Sequence, residues 1–284
     1  MDESQAARLV YFDQVIHDAG TRWMIHRDTT NRATELGYPS LHTFYFVGRG
    51  GALSNMLDNV DAEAVTKAMG WWEPNLVRTH WEAGLAVAGS PRKAAQQYGQ
   101  ACAAWGEDHL ADISDTNQFI ELAERVVAAA DATRLPLFDG WRAQTRAEPG
   151  PGRLLQLIHL LREWRGGLHL TATTDVGVSP LAAILTNEGP SQAKLFGWGN
   201  EFNDEDYREL LPRHHKAETI TNQLTLAVYE RVLSHEERDK FADLVADVGV
   251  AVLGRPQSGP DNKPPTQVRS PQTKGQRRGS QKRR

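Results

Sequence analysis

The chain has 284 residues, 40% of them hydrophobic, one cysteine and a formal net charge of −4. That is enough apolar material for a real core in one large domain or two small ones, while no apolar run reaches the ~20 residues that a bilayer span needs. A single cysteine, Cys102, excludes an internal disulfide and the zinc patterns built on paired cysteines.

The first segment is acidic at its start and lacks the apolar region of a signal peptide, so the sequence reads as cytoplasmic. Leu9, Phe12 and Ile16 recur at helical spacing and predict a helix over 2–19, with Gly20 as its stop. The stretch from Leu41 to Leu57 begins aromatic and turns glycine-rich. It predicts a helix broken or loosened near Gly48, Gly50 and Gly51, where backbones can approach closely. Asp61 reads as the cap of a helix bearing Ala64, Val65, Ala68 and Met69 on one face. Pro74 opens the next helix, and Ser90-Pro91 opens an alanine-rich one through about Trp105. Cys102, in that last stretch, reads as a small buried hydrophobe. Asp115 starts a helix that carries Phe119, Leu122, Val126 and Val127.

Glu148-Pro149-Gly150-Pro151-Gly152 is the clearest internal linker, and it divides the chain into a helical unit, 1–152, and a second unit, 153–254. The second unit opens with an amphipathic helix from Arg153 to Trp164, ended or bent by Gly166-Gly167. Ser179-Pro180 starts a short helix, and Asn203 to Asp206 cap another that contains Arg213, His214 and Lys216. The segment TITNQLTLAV, 219–228, alternates β-branched and polar residues, so its start is expected to be extended. Ser234 and Glu237 form a capping box for a last helix. Short helix, longer helix and extended segment in succession suggest a winged helix-turn-helix unit packed on the helical one, in a mainly α protein.

Beyond Gly254 the hydrophobics vanish, and residues 255–284 are expected to be a disordered basic tail. The tail holds nine Lys/Arg against one Asp, a charge of +8, which leaves −12 on the rest of the chain. An acidic body repels a phosphate backbone unless one face is locally basic. The tail, with Arg277, Arg278, Lys282, Arg283 and Arg284 at its end, is the candidate for electrostatic contact with nucleic acid. It has no aromatics on which bases could stack. A second, small basic patch is Arg213, His214 and Lys216, but Asp204, Glu205, Asp206, Glu209 and Glu218 around it argue against a recognition helix.

Four blocks resemble the SalK-type helix-turn-helix family, an actinobacterial group also found beside natural-product genes. His17 matches a histidine of the family's first long helix. FYFVGRGGAL (44–53) matches an aromatic-Phe-x-x-Arg block through Arg49, and MGWWEPNLV (69–77) an aromatic block through Pro74. LPLFDGWRA (135–143) and LIHLLREWRGGLH (157–169) match the last two blocks, the latter through His159, Arg162, Glu163, Arg165, Gly166 and His169. Trp164 and Gly167-Leu168 depart from the family pattern, as does Gly50-Gly51-Ala52. The likeness runs from about residue 5 to 245, and it implies a helix-turn-helix architecture without fixing an activity.

These residues form the candidate ligand pocket. His159, Arg162 and Glu163 share one helix face, and His169 is expected to fold back toward them after the Gly-Gly turn. Arg49 and His17 are expected to join them. Histidine suits proton transfer and arginine suits a carboxylate or phosphate, although the same set also reads as ion pairs knitting helices together. Trp72, with Trp71, Trp81, Phe44, Tyr45 and Phe46, reads as a cavity wall or as plain core. No H-E-x-x-H or comparable spacing supports a metal at His17, His159 and His169, and no metal or cofactor is assigned.

The leading expectation is a helix-turn-helix protein that binds a small molecule between its two units and regulates transcription. The alternatives are an enzyme of secondary or cofactor metabolism with His159 and His169 in acid–base roles, and a non-catalytic protein- or RNA-binding partner. Neither the ligand nor the oligomeric state is fixed by the sequence.

Overall fold

A computed structural model gives the structure of residues 1–199 and 204–254, with side chains described from residue 207 onward in the second stretch. Among the described residues there are thirteen α-helices and no strand. The first six are α1 (Glu3–Arg22), α2 (Arg27–Glu35), α3 (Leu41–Gly51), α4 (Ala62–Met69), α5 (Pro74–Ala88) and α6 (Pro91–His109). Then come α7 (Thr116–Ala129), α8 (Pro136–Arg142), α9 (Pro151–Asp175), α10 (Pro180–Asn187) and α11 (Pro190–Leu195). The last two are α12 (Leu211–Val232) and α13 (His235–Leu253), α12 being led in by a 3-10 turn, Asp204–Leu210. None of these helices alone is long and apolar enough to cross a membrane.

Local chemistry sets many of the helix starts. The Asp61 carboxylate accepts the Ala64 N–H at 2.8 Å, and the Ser90 hydroxyl accepts the Lys93 N–H at 3.2 Å, with Pro91 in the first turn. Such caps satisfy amides that have no partner inside the helix. The Ser234 hydroxyl accepts from the Glu237 amide while the Glu237 carboxylate accepts from the Ser234 amide, the reciprocal pair of a capping box. The linker glycines and prolines at 148–152 lead directly into α9, with Gly150 at its N-cap.

The buried helix α9 is the axis of the molecule. It packs against α1, α6, α7, α8 and α12, and α13 in turn lies along α1. One continuous core runs through these contacts, from Leu9, Phe12 and Ile16 of α1 through Leu154, Leu157, Ile158 and Leu161 of α9 to Phe241 and Val245 of α13. A smaller apolar cluster, Ile184, Leu185 and Ala193 with Trp71 and Phe196, holds α10 and α11 together.

Several sequence expectations change here, each for a packing reason. The first helix does not stop at Gly20. It runs on to Arg22, and the Arg162 side chain lies where a side chain at Gly20 would be, 2.9 Å from an ideal Cβ. The glycines of α3 do not break the helix before Gly51. They let α6 approach: a Cβ on Gly48 would sit 2.5 Å from Tyr98, and one on Gly51 would sit 2.3 Å from the Pro91 carbonyl. The alanine-rich helix continues past Trp105 to His109.

Gly166-Gly167 does not end the helix that holds it, so His169 does not fold back after a turn but continues in α9. An interior glycine costs a helix only about 1 kcal/mol, and contacts on several sides of α9 outweigh that. Nor is any part of TITNQLTLAV extended. Thr221, Thr225 and Val228, at spacings of four and three, are buried in α12, so the segment follows the helical period. Among the described residues no strand exists to form a wing. The basic tail, 255–284, lies outside the described residues.

Candidate functional site

One face of α9 collects charged side chains from three other helices. From α3, Arg49 donates through Nε and Nη2 to the two oxygens of Glu163, each at 2.8 Å, in the planar two-point geometry that arginine and a carboxylate favour. The Nη1 of Arg49 donates to the Tyr45 hydroxyl at 2.6 Å, and its backbone carbonyl accepts from the Trp141 indole at 3.2 Å. Arg162 completes the group: Nη1 donates to Glu163 at 3.1 Å, and Nε donates to the Thr21 hydroxyl of α1 at 2.9 Å. Burial pushes the Glu163 carboxyl upward. Arg49, first among its neighbours, more than offsets this and brings it down to about 2. Glu163 is therefore a carboxylate at every ordinary pH.

His159 lies one turn before Glu163, with Nδ1 3.8 Å from its carboxylate. Its ring stands edge-on to Trp141 at 4.8 Å and to Trp23 at 5.7 Å. Among the described residues neither ring nitrogen has a hydrogen-bond partner, and the nearby Tyr98 hydroxyl has none either. Burial, against the pull of Glu163, lowers His159 to about 3, so the ring is neutral.

A second group sits farther along α9. Arg165 donates from Nη2 to Glu218 at 3.0 Å and to Asn222 at 3.2 Å, both on α12, and its Nε is 3.9 Å from the Asp13 carboxylate of α1. Asp13 also accepts from the Tyr229 hydroxyl. Burial raises its pKa, and the Tyr229 hydrogen bond and Arg165 only partly oppose that. The His169 Nδ1 lies 3.3 Å from the Thr221 hydroxyl and 3.5 Å from Glu218, and its ring stacks on Trp71 at 5.7 Å. Burial lowers the His169 pKa, with Glu218 opposing.

His17 stands between the two groups. Its carbonyl accepts from the Thr21 hydroxyl that receives Arg162. Burial, then Arg162 and Arg165, lowers its ring to about 3.

Between these groups on α9 stands Gly166. Gly166 is one turn from Arg162 and Glu163 on one side and from His169 on the other, and an ideal Cβ there would meet nothing within 4 Å. Its neighbour Gly167, by contrast, would press on Leu135 at 3.1 Å. His17, Arg162, Arg165 and His169 are each partly exposed, as are Tyr45, Trp71 and Trp72. Trp72 stands at the edge, tilted against Tyr45 at 5.6 Å and Phe196 at 4.5 Å.

The residues expected to meet are thus sorted into two linked sets. Arg49, His159, Arg162 and Glu163 form the inner one. Arg165 and His169 form the outer one with α12, and His17 lies between. His17, His159 and His169 do not converge as a three-histidine ligand set, since His159 is enclosed by indoles and His169 is turned to α12.

Of the proposed nucleic-acid residues, Arg213 and Lys216 are exposed, while His214 is buried edge-on to His169 at 5.8 Å. Glu218, counted on the sequence against a basic surface, turns inward to Arg165 and His169. Arg277, Arg278, Lys282, Arg283 and Arg284 lie outside the described residues. Asp13, Thr21, Glu218 and Asn222 were not anticipated as partners. The available signals were only the four-residue spacings Asp13/His17 and Glu218/Asn222, which place each pair on one helix face without saying what that face meets.

No curated protein and no solved structure matches the chain. A family model, described as a helix-turn-helix family, matches residues 12–257, a span that takes in α9, both charged groups on it and every helix after it. With the match covering most of its length, the chain belongs to that helix-turn-helix family.

Proposed function

We propose that the chain is a ligand-responsive helix-turn-helix protein. It takes a small anion with a flat or apolar body into the space over Gly166, and that occupancy sets the position of α12. The observation that carries this reading is the open space at the Cβ position of Gly166, one turn from the partly exposed Arg162 and next to the partly exposed Arg165. An arginine fork is the group of choice for a carboxylate or phosphate, and Trp71 and Tyr45 offer aromatic surface beside it.

The link to α12 is electrostatic. Glu218 and Asn222 occupy Arg165, and Glu218 also faces His169. An incoming carboxylate competes with Glu218 for the same guanidinium. When it wins, α12 loses its polar hold on α9, and the exposed Arg213 and Lys216 at the start of α12 move with it. A ligand shifts such an equilibrium only by its differential affinity for the two arrangements, and competition for one arginine supplies that difference. The enzyme reading has less support, because burial holds His159 near 3 and lowers His169 as well, which makes both weak bases.

In the DNA-binding part of this reading, the body supplies orientation and the basic tail supplies electrostatic affinity. The test is fluorescence anisotropy with a labelled duplex over a salt series, on the full chain and on a chain ending at Gly254. The full chain is expected to bind at low salt with an affinity that falls steeply as salt rises. The shorter chain is expected to bind more weakly and with a smaller salt slope. If the shorter chain shows no binding at low salt, the body does not contact DNA and the regulatory part of the reading is wrong.

A further inference from the structure

Away from the α9 cluster, and among the described residues, one group of side chains has the chemistry of a metal site. It joins the first turn of α2 to the last turn of α6. The Asp28 Oδ2 lies 3.2 Å from the His26 Nδ1 and 2.9 Å from the His109 Nε2. The three donor atoms all fall within 4.8 Å of one another. Bonds of about 2.1 Å from a metal to nitrogen and oxygen, at angles between octahedral and tetrahedral, place neighbouring donors about 2.9–3.4 Å apart. Both measured separations fall in that interval.

Two further features point to a cation. The His26 Nδ1 lies 3.3 Å from the Asp28 amide and 3.2 Å from the Asp28 carboxylate, so it is already turned toward the oxygen with which it would share a cation. The amide contact is long enough to yield to a metal bond. Aromatic packing also fixes the two rings: His109 stacks on Trp105 at 4.0 Å, and His26 stands edge-on to Trp105 at 5.5 Å and to His109 at 5.0 Å. Rings held in orientation before the metal arrives are what make a site selective and tight. On the other side His109 borders an open depression shared with Asp112, Ile113 and Val250, which leaves a path for entry.

We propose that His26, Asp28 and His109 bind one divalent transition-metal ion of the zinc class, closing α2 onto α6, with its remaining coordination positions held by water. Two imidazoles and one carboxylate suit zinc, cobalt or nickel, whereas magnesium and calcium prefer all-oxygen sets. The ion ties residues 81 positions apart in sequence, and a metal bound only by the folded chain adds its binding free energy to stability.

The experiment uses the full chain stripped of metal. Zinc is titrated by calorimetry, cobalt by visible absorption, and the melting temperature is read with and without zinc. One zinc per chain is expected, with a rise in Tm of roughly 5 °C or more at about a hundredfold excess over Kd. His109→Ala and Asp28→Asn, at partly exposed side chains, are each expected to keep the circular dichroism of the parent. Each should weaken zinc binding by at least about tenfold and abolish the Tm rise. His235→Ala, at another exposed histidine, should change neither. No zinc bound by the intact chain, or equal affinity in the parent and both site variants, overturns the proposal.

Discussion

Arg49 and Glu163 are the residues on which the α9 cluster rests. Both are buried, and each satisfies the other through two hydrogen bonds of 2.8 Å. Removing Glu163 leaves the buried Arg49 an uncompensated charge out of water, which costs about 3–5 kcal/mol, whereas replacing both by apolar groups is often neutral. Glu163→Ala is therefore expected to lose about that much in urea denaturation, and the double variant Arg49→Met/Glu163→Met to recover part of it, since Arg162 still lacks its Glu163 partner. A double variant as unstable as the single one would show that the pair does more than neutralise itself. The histidines add a pH dependence whose sign is fixed. His17 and His159 stand near 3 in the folded chain, against an ordinary value of 6.5. Between those values the unfolded chain binds two protons that the folded chain refuses. Stability is then full above about pH 7 and falls as pH drops from 6.5 toward 3, by about 1.4 kcal/mol per pH unit for each histidine. Glu163, lowered to about 2 from 4.5, adds a further loss below pH 4.5. His159→Phe keeps a ring among the indoles and should reduce the slope between pH 6 and 5 by that residue's own share, about 1.4 kcal/mol per pH unit. An unchanged slope would mean that His159 titrates normally.

At the scale of the helix, two glycines make opposite demands. Gly51 sits against the Pro91 carbonyl, so Gly51→Ala must push α3 off α6, and a loss of about 2 kcal/mol or more is expected. Gly166 has nothing within 4 Å, so Gly166→Ala should gain the usual helix-interior benefit of about 0.5–1 kcal/mol. Thermal unfolding of both variants checks the pair of signs. The difference also explains what was legible in the sequence. Caps such as Asp61, Ser90-Pro91 and Ser234 with Glu237 act on amides within three residues, so their reading survives any tertiary context. Gly20, Gly166 and Gly167 looked like stops because glycine is a poor helix former. Their neighbours decide otherwise, since Arg162 needs the room at Gly20 and α9 is held on several sides. TITNQLTLAV looked extended because its residues are β-branched, yet its buried threonines are spaced four apart.

Across the whole molecule, the resemblance named Arg49, His159, Arg162 and Glu163 from two separate blocks, and the fold brings these side chains together where α3 meets α9. It could not supply Asp13, Glu218 or Asn222, whose roles depend on α1 and α12 both lying along α9. That arrangement sets charged side chains of several helices along α9 on either side of Gly166, and the account stands on whether an anion binds there. The measurement that tests this most directly is a thermal-shift screen of aromatic and aliphatic carboxylates and phosphate esters against the parent chain and Gly166→Leu. Leucine at 166 has open space to enter, so the variant should fold with a melting temperature close to the parent's. At least one anion is expected to raise the melting temperature of the parent and to leave that of Gly166→Leu unmoved. No shift with any anion, or equal shifts in both proteins, would contradict a binding site over Gly166.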